Sequence, residues 1–168
     1  MKLFIFIAII ATVSATPVDE KEGGSNIGEP LYQTTDYLYV NDDFNSIQQS
    51  GLCLAETNSA RARNGKGPLA WDGRLESAAR NHNNVMVAQN CFSHQCPGEP
   101  NLGTRVSQVG YTWTSLGENI ASGYPDCNAV VNGWMNSAGH RENILRDYLQ
   151  VGCHRANQYW TCVYGRGR

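Results

Sequence analysis

The stretch Gly133-Trp134-Met135-Asn136-Ser137-Ala138-Gly139-His140-Arg141-Glu142-Asn143-Ile144-Leu145 crowds a bulky aromatic, a titratable histidine and an arginine between apolar positions. An ordinary amphipathic helix repeats its apolar residues every three or four positions and keeps charge on the opposite face. Val130, Val131, Trp134 and Met135 obey that spacing, Ala138-Gly139 interrupts it, and Ile144 and Leu145 resume it. The pattern predicts a helix capped by Asp126, whose carboxylate accepts from the exposed donors of the first turn. A break then places His140 at the centre of a cleft. Two earlier pieces, Phe92-Ser93-His94 and Leu116-Gly117-Glu118-Asn119-Ile120, carry the groups expected to meet it.

Leu116 to Ala121 reads as a short buried strand with an acid among apolar neighbours. A carboxylate buried without a partner costs several kcal/mol or takes up a proton, so Glu118 requires a cationic or metal-bound neighbour. Gly117 allows another backbone or a ligand to approach closely. His94 falls on an irregular loop between Cys91 and Cys96, followed by Pro97, Gly98 and Pro100, and loops on a rigid scaffold are where binding groups concentrate. His82 lies instead on the inner stripe Leu75, Ala78, Ala79, His82, Val85, Met86 of a helix running from an Asp72 cap to about Asn90, with Asn83 among the polar residues placed elsewhere. It reads as a hydrogen-bonded core histidine.

Elsewhere, Leu54, Ala55, Asn58 and Ala62 recur at helical spacing before an Asn64-Gly65 stop, and Leu69-Ala70-Trp71 forms an apolar plug. Asn101 to Val109 predicts a short helix with Arg105 facing solvent or bridging, ended by Gly110, and Tyr111-Thr112-Trp113 an aromatic loop. Val151 to Cys153 and Tyr159 to Tyr164 read as a closing pair of strands, with His154 exposed near the turn.

The chain of 168 residues, 41% hydrophobic and 17% charged, suits one folded domain. Lys2, the apolar run Leu3 to Ile10 and the small residues Val13-Ser14-Ala15 read as a signal peptide over 1–15, too short to span a bilayer. Residues 16–46 lack sustained periodicity and read as a flexible leader, which leaves 47–168 as the domain. Removing Lys2 takes the net charge from -2 to -3, and no basic patch suggests a nucleic-acid partner. Six cysteines in an exported chain read as a disulfide framework with 15 possible connectivities. Cys153 with Cys162 is the pair that two short strands around a turn would join.

Leu69 to Trp71, Phe92-Ser93-His94, Gly117-Glu118-Asn119-Ile120, Trp134, Ser137 to Leu145 and Val151-Gly152-Cys153, in this order, resemble the CAP superfamily, also called SCP/TAPS or pathogenesis-related protein 1-like. The likeness runs from about Leu52 to Tyr164. The Gly-His-Arg-x-Asn-Ile-Leu motif is most similar to the short bacterial-like and fungal-like branch. The resemblance implies an α+β fold, a three-layer α-β-α sandwich stapled by disulfides. It also implies a cleft with two histidines, here His94 and His140, and two acids, of which Glu118 is the first. At the second acid position, three after Trp134, stands Ser137. Glu142, two residues after His140 on a helix, points away from the cleft.

Two imidazoles and the Glu118 carboxylate suit zinc or a similar divalent ion, with further positions open to water. Such an ion, or a histidine paired with Glu118, would activate water. No nucleophile motif such as Gly-x-Ser-x-Gly is present, and no catalytic residue is assigned. What the resemblance implies first is a secreted, non-enzymatic binder of sterols, fatty acids or other small hydrophobic ligands, with peripheral membrane contact and roles in defence, immune modulation or virulence. Tyr111 and Trp113 are then the candidate ligand-binding loop. The alternatives are a metal- or histidine-assisted extracellular hydrolase, and a polar network of His94, Glu118 and His140 that only specifies the fold.

Overall fold

Each helix after the first begins where the sequence supplies an oxygen or a small residue outside the helix. The computed structural model describes residues 52–168; the expected signal peptide (1–15) and leader (16–46) lie outside the described residues. The elements in order are α1 (52–63), β1 (Ala70–Trp71), α2 (Gly73–Gln89), α3 (Leu102–Gln108), β2 (Trp113–Ser122), α4 (Cys127–Met135), α5 (Ala138–Leu145), β3 (Gln150–Ala156) and β4 (Tyr159–Gly167). Asp72, Asn101 and Asp126 accept from the backbone N–H groups of Arg74, Thr104 and Ala129, satisfying donors that a helix start leaves free. Asn90 ends α2 in the left-handed region at φ 48°.

The four strands form one sheet in the order β1-β3-β4-β2, with β1 parallel to β3 and the other pairs antiparallel. β4 is buried from Tyr159 to Gly165, and its side chains divide by the two-residue period of a strand. Trp160, Cys162 and Tyr164 pack with residues of α1, α4 and α5, while Val163 packs with Leu75, Ala78 and Ala79 of α2 and Val106 of α3. The sheet is therefore the middle layer of the expected three-layer α-β-α sandwich. α2 lies so close to β3 that a Cβ on Gly152 would strike the Leu75 and Glu76 backbone.

The described residues hold three disulfides, each within a layer or loop: Cys153–Cys162 joins directly opposed residues of the β3–β4 hairpin, as expected, Cys91–Cys96 closes a short loop, and Cys53–Cys127 ties α1 to the start of α4.

Four local expectations are corrected. The buried positions of α1 are Cys53, Thr57, Ala60 and Arg61, with Ala55 and Ala62 exposed, because the Cys53 disulfide and the Arg61 guanidinium set the face. Arg61 donates to the carbonyls of Gly67, Ile144 and Arg146, covering acceptors at the end of α5. Asn83 is buried and Val85 only half-buried, since the Asn83 amide donates to the His154 carbonyl and accepts from Thr161. The break between α4 and α5 falls at Asn136 and Ser137, which leaves Gly139 inside the first turn of α5. His154 lies within β3 and is half-buried, with Nδ1 3.2 Å from the Asn83 amide.

Candidate functional site

β2 is an edge strand, paired on one side with β4 alone. An open edge presents unpaired backbone groups, and here side chains from the neighbouring helices and loop cover it. The carbonyls of the alternate residues Leu116, Glu118 and Ile120 accept from the Tyr148 hydroxyl at 2.8 Å, the Asn143 amide at 3.0 Å and the Trp134 indole at 3.2 Å. The space beside Gly117 is filled by Tyr148 and Asn143. Asn119, fully buried, donates to the His140 carbonyl at 3.0 Å and accepts from Asn143 at 2.9 Å. The odd-looking mixture of polar and apolar residues in 133–145 thus fixes α4 and α5 against the edge of the sheet.

The same edge separates the two histidines. His94, in the loop after α2, reaches Glu118 with Nδ1 2.8 Å from Oε1, and its side chain stays 57% exposed. His140 comes from α5 in the opposite layer, with Nδ1 2.9 Å from the Ser137 hydroxyl. Both line one cleft of about 600 Å³, together with Phe92, Ile120, Tyr124 and Trp134. Burial, reinforced by the nearby His94, holds the His140 pKa below its ordinary value, which favours the neutral imidazole.

Glu118 has the partner its burial demands, and more than one. Its carboxylate takes the Arg105 guanidinium at 3.1 Å as well as His94, and His82 Nε2 stands 4.0 Å away. A second buried acid, Glu99, accepts at 2.7 Å from His82 Nδ1 and at 3.0 Å from the Cys96 backbone N–H, with Arg105 3.6 Å distant. Arg105, 5% exposed, therefore bridges two acids and does not face solvent. It also donates to the His94 carbonyl at 2.9 Å, so the guanidinium holds the loop and the acid together.

Each histidine has Nδ1 engaged, by Glu118 and by Ser137, while its ring lines the cleft. That is the arrangement of a metal-binding imidazole oriented by an outer partner. Glu118, by contrast, lies behind His94, paired with it and with Arg105, and does not line the cleft. Among the described residues no group of three His, Cys, Asp or Glu side chains is placed to hold a metal ion. Two imidazoles are fewer than the three protein ligands of catalytic zinc sites, so the three-ligand set of His94, Glu118 and His140 does not fit.

Tyr111 and Trp113 stand apart from this cleft. Tyr111 is 2% exposed, packs between α2 and α3, and donates its hydroxyl to Gln150. Trp113 opens β2, packs against Gly103 and donates to the Ser107 hydroxyl. Together they border a groove of about 570 Å³ whose other lining includes Ser107, Thr112, Thr114 and Arg168.

The family model described as CAP, the cysteine-rich secretory protein family, matches residues 54–164. This chain belongs to the CAP family. It is 36% identical over 108 residues to protein YkwD of Bacillus subtilis, covering 62% of this chain and 42% of that protein. It is 32% identical over 119 residues to pathogenesis-related leaf protein 4 of Solanum lycopersicum, covering 66% of this chain and 73% of that protein. The crystal structure of an extracellular SCP-domain protein from Bacillus anthracis superposes with a TM-score of 0.70 at 31% identity, covering 72% of this chain and 41% of that one. The chain thus spans less than half the length of these Bacillus relatives. An outer surface protein of Borrelia burgdorferi, 21% identical, shares the fold with a TM-score of 0.65, covering 70% of this chain and 92% of that one.

In this CAP domain the sequence reading missed Glu99, and it left Arg105 open between facing solvent and bridging without naming the two acids it joins. Their signal was present but weak: an acid and an arginine flanking a Pro-Asn helix start, six residues apart. Glu142 is exposed and paired loosely with Arg146, as its position two residues after His140 implies.

Proposed function

We propose that this CAP-domain protein is secreted and acts as a non-enzymatic binder of a small hydrophobic ligand bearing a polar group, held in the cleft at the β2 edge. The cleft lining carries this reading. Phe92, Ile120, Ala121, Tyr124 and Trp134 supply apolar surface, and His94 and His140 supply hydrogen-bonding nitrogens. Ligand sites commonly combine a mainly apolar wall with a few placed polar groups, in volumes of roughly 300–1,000 Å³. The Tyr111–Trp113 groove supports such a ligand less well, because the Tyr111 ring is spent in the core. Secretion is supported by the N-terminal sequence and by three disulfides, which persist in oxidising compartments. Likeness to a pathogenesis-related leaf protein supports a role in defence or host interaction.

The test is displacement of a fluorescent apolar dye by sterols and fatty acids. Phe92 stands 53% exposed at the rim, stacked on Tyr159, so Phe92→Ala leaves the core intact. It should weaken binding about tenfold, equivalent to about 1.4 kcal/mol, while Trp113→Ala changes little. The reverse pattern would move the site to the groove.

One contact favours a second reading, a hydrolase. Ser137 Oγ lies 2.9 Å from His140 Nδ1, a nucleophile beside a base. Ser137 is also the residue preceding α5, with His140 three positions on, so helix-end packing explains the same contact. Labelling of Ser137 by a fluorophosphonate would support the hydrolase; an unlabelled protein that still binds apolar ligands would not.

A further inference from the structure

The pairings along β2 give the cleft a direction. Asn119 meets His140, Ile120 meets Trp134, and beyond the end of β2 Tyr124 meets Gly133. The histidines therefore mark one end and Tyr124 the other, with Ile120 and Trp134 between them. Glu118 to Ser122 is four residue-to-residue steps, or roughly 13 Å at the rise of a strand.

The Tyr124 end is built by a close approach. The Tyr124 carbonyl accepts from the Trp160 indole at 2.9 Å, and that of Pro125 accepts from Arg155 at 2.9 Å, so the backbone is held on both sides. The ring lies across α4 at Gly133. A Cβ at Gly133 would stand 2.7 Å from Cζ and 2.8 Å from Cε1 of Tyr124, closer than carbon atoms pack. Glycine is unfavourable inside a helix, and Gly133 is an interior residue of α4. Its place there is accounted for by the ring it admits. With the backbone pinned, any side chain at 133 moves the Tyr124 ring and, with it, the cleft wall.

Resting on the proposed binding function, we infer that Gly133 and Tyr124 form a length stop, and that the ligand is an elongated head-and-tail molecule. An oxygen-bearing head sits at His94 and His140. An unbranched or flat apolar tail lies along Ile120 and Trp134 and ends against the Tyr124 ring.

The experiment is displacement of 1-anilinonaphthalene-8-sulfonate by straight-chain alcohols and carboxylic acids of eight to eighteen carbons. Wild type should bind better with length and then lose affinity beyond a cut-off. Gly133→Ala should move that cut-off to shorter chains, with about tenfold weaker binding of the longest accepted member and little change for short ones. Tyr124→Ala should move it to longer chains. That second variant carries the test if Gly133→Ala fails to fold. Identical length profiles in wild type and Tyr124→Ala would overturn the length stop while leaving the binding function standing. Failure of every straight chain to displace the dye from wild type while sterols still displace it would overturn the head-and-tail ligand and its length stop; failure of sterols as well would overturn the binding function.

Discussion

Glu118 is 6% exposed and meets two cationic or proton-bearing partners, Arg105 and His94. Desolvating a carboxylate and a guanidinium is repaid only while both are present, so removing one leaves a buried unpaired charge. Glu118→Ala should lower unfolding free energy by about 3–5 kcal/mol, read from denaturant titration at pH 7. His154 answers to pH. Burial, with Arg80 adding to it, pulls its pKa from 6.5 down to about 4, so the folded state favours the neutral ring. The unfolded chain takes up the proton first as pH falls. This contribution to stability is therefore complete above about pH 6.5 and is lost progressively toward pH 4. His154→Gln should show a flatter decline of urea midpoint across that window than wild type.

At the scale of elements, the two helices that cover the β2 edge are held by different means. α5 is tied by side-chain hydrogen bonds from Asn143 and by Arg61 at its C-terminal end, whereas α4 adds to the Trp134 indole bond a disulfide from Cys127 to Cys53 across a separation of 74 residues. Cross-links that close long loops restrict the unfolded chain most in the chain-entropy account. Replacing Cys53 and Cys127 together by serine should cost about 4 kcal/mol, against about 2–3 kcal/mol for Cys153 and Cys162, whose separation is 9. Matched thermal and denaturant melts of the two double variants check the order.

For the whole molecule, the layers were readable because local patterns agree with the tertiary fold. Asp72 and Asp126 mark helix starts, the apolar residues of β4 alternate between two cores, and Cys153 faces Cys162 across a hairpin. That the buried Glu118 needs a partner was legible, and His94 is one such partner, but Glu118 lies behind His94, and of His94, Glu118 and His140 only the two histidines line the cleft. The other partner, Arg105, was less legible. Arg105 and Glu99 come from the α3 side of the sheet, and nothing in their local spacing shows that a guanidinium turns inward to join two acids. Likewise Tyr111 carries an aromatic ring in a loop-like sequence, but the gap between α2 and α3 takes it into the core.

The central claim is that one cleft at the β2 edge, with His94 and His140 on opposite walls, receives an apolar ligand. Imidazole NMR of the histidine-labelled protein during titration with the tightest-binding straight-chain alcohol tests it directly. The ring signals of His94 and His140 should shift together and saturate at one affinity, while those of His82 and His154 stay in place. Saturable binding that leaves His94 and His140 unmoved would contradict the claim.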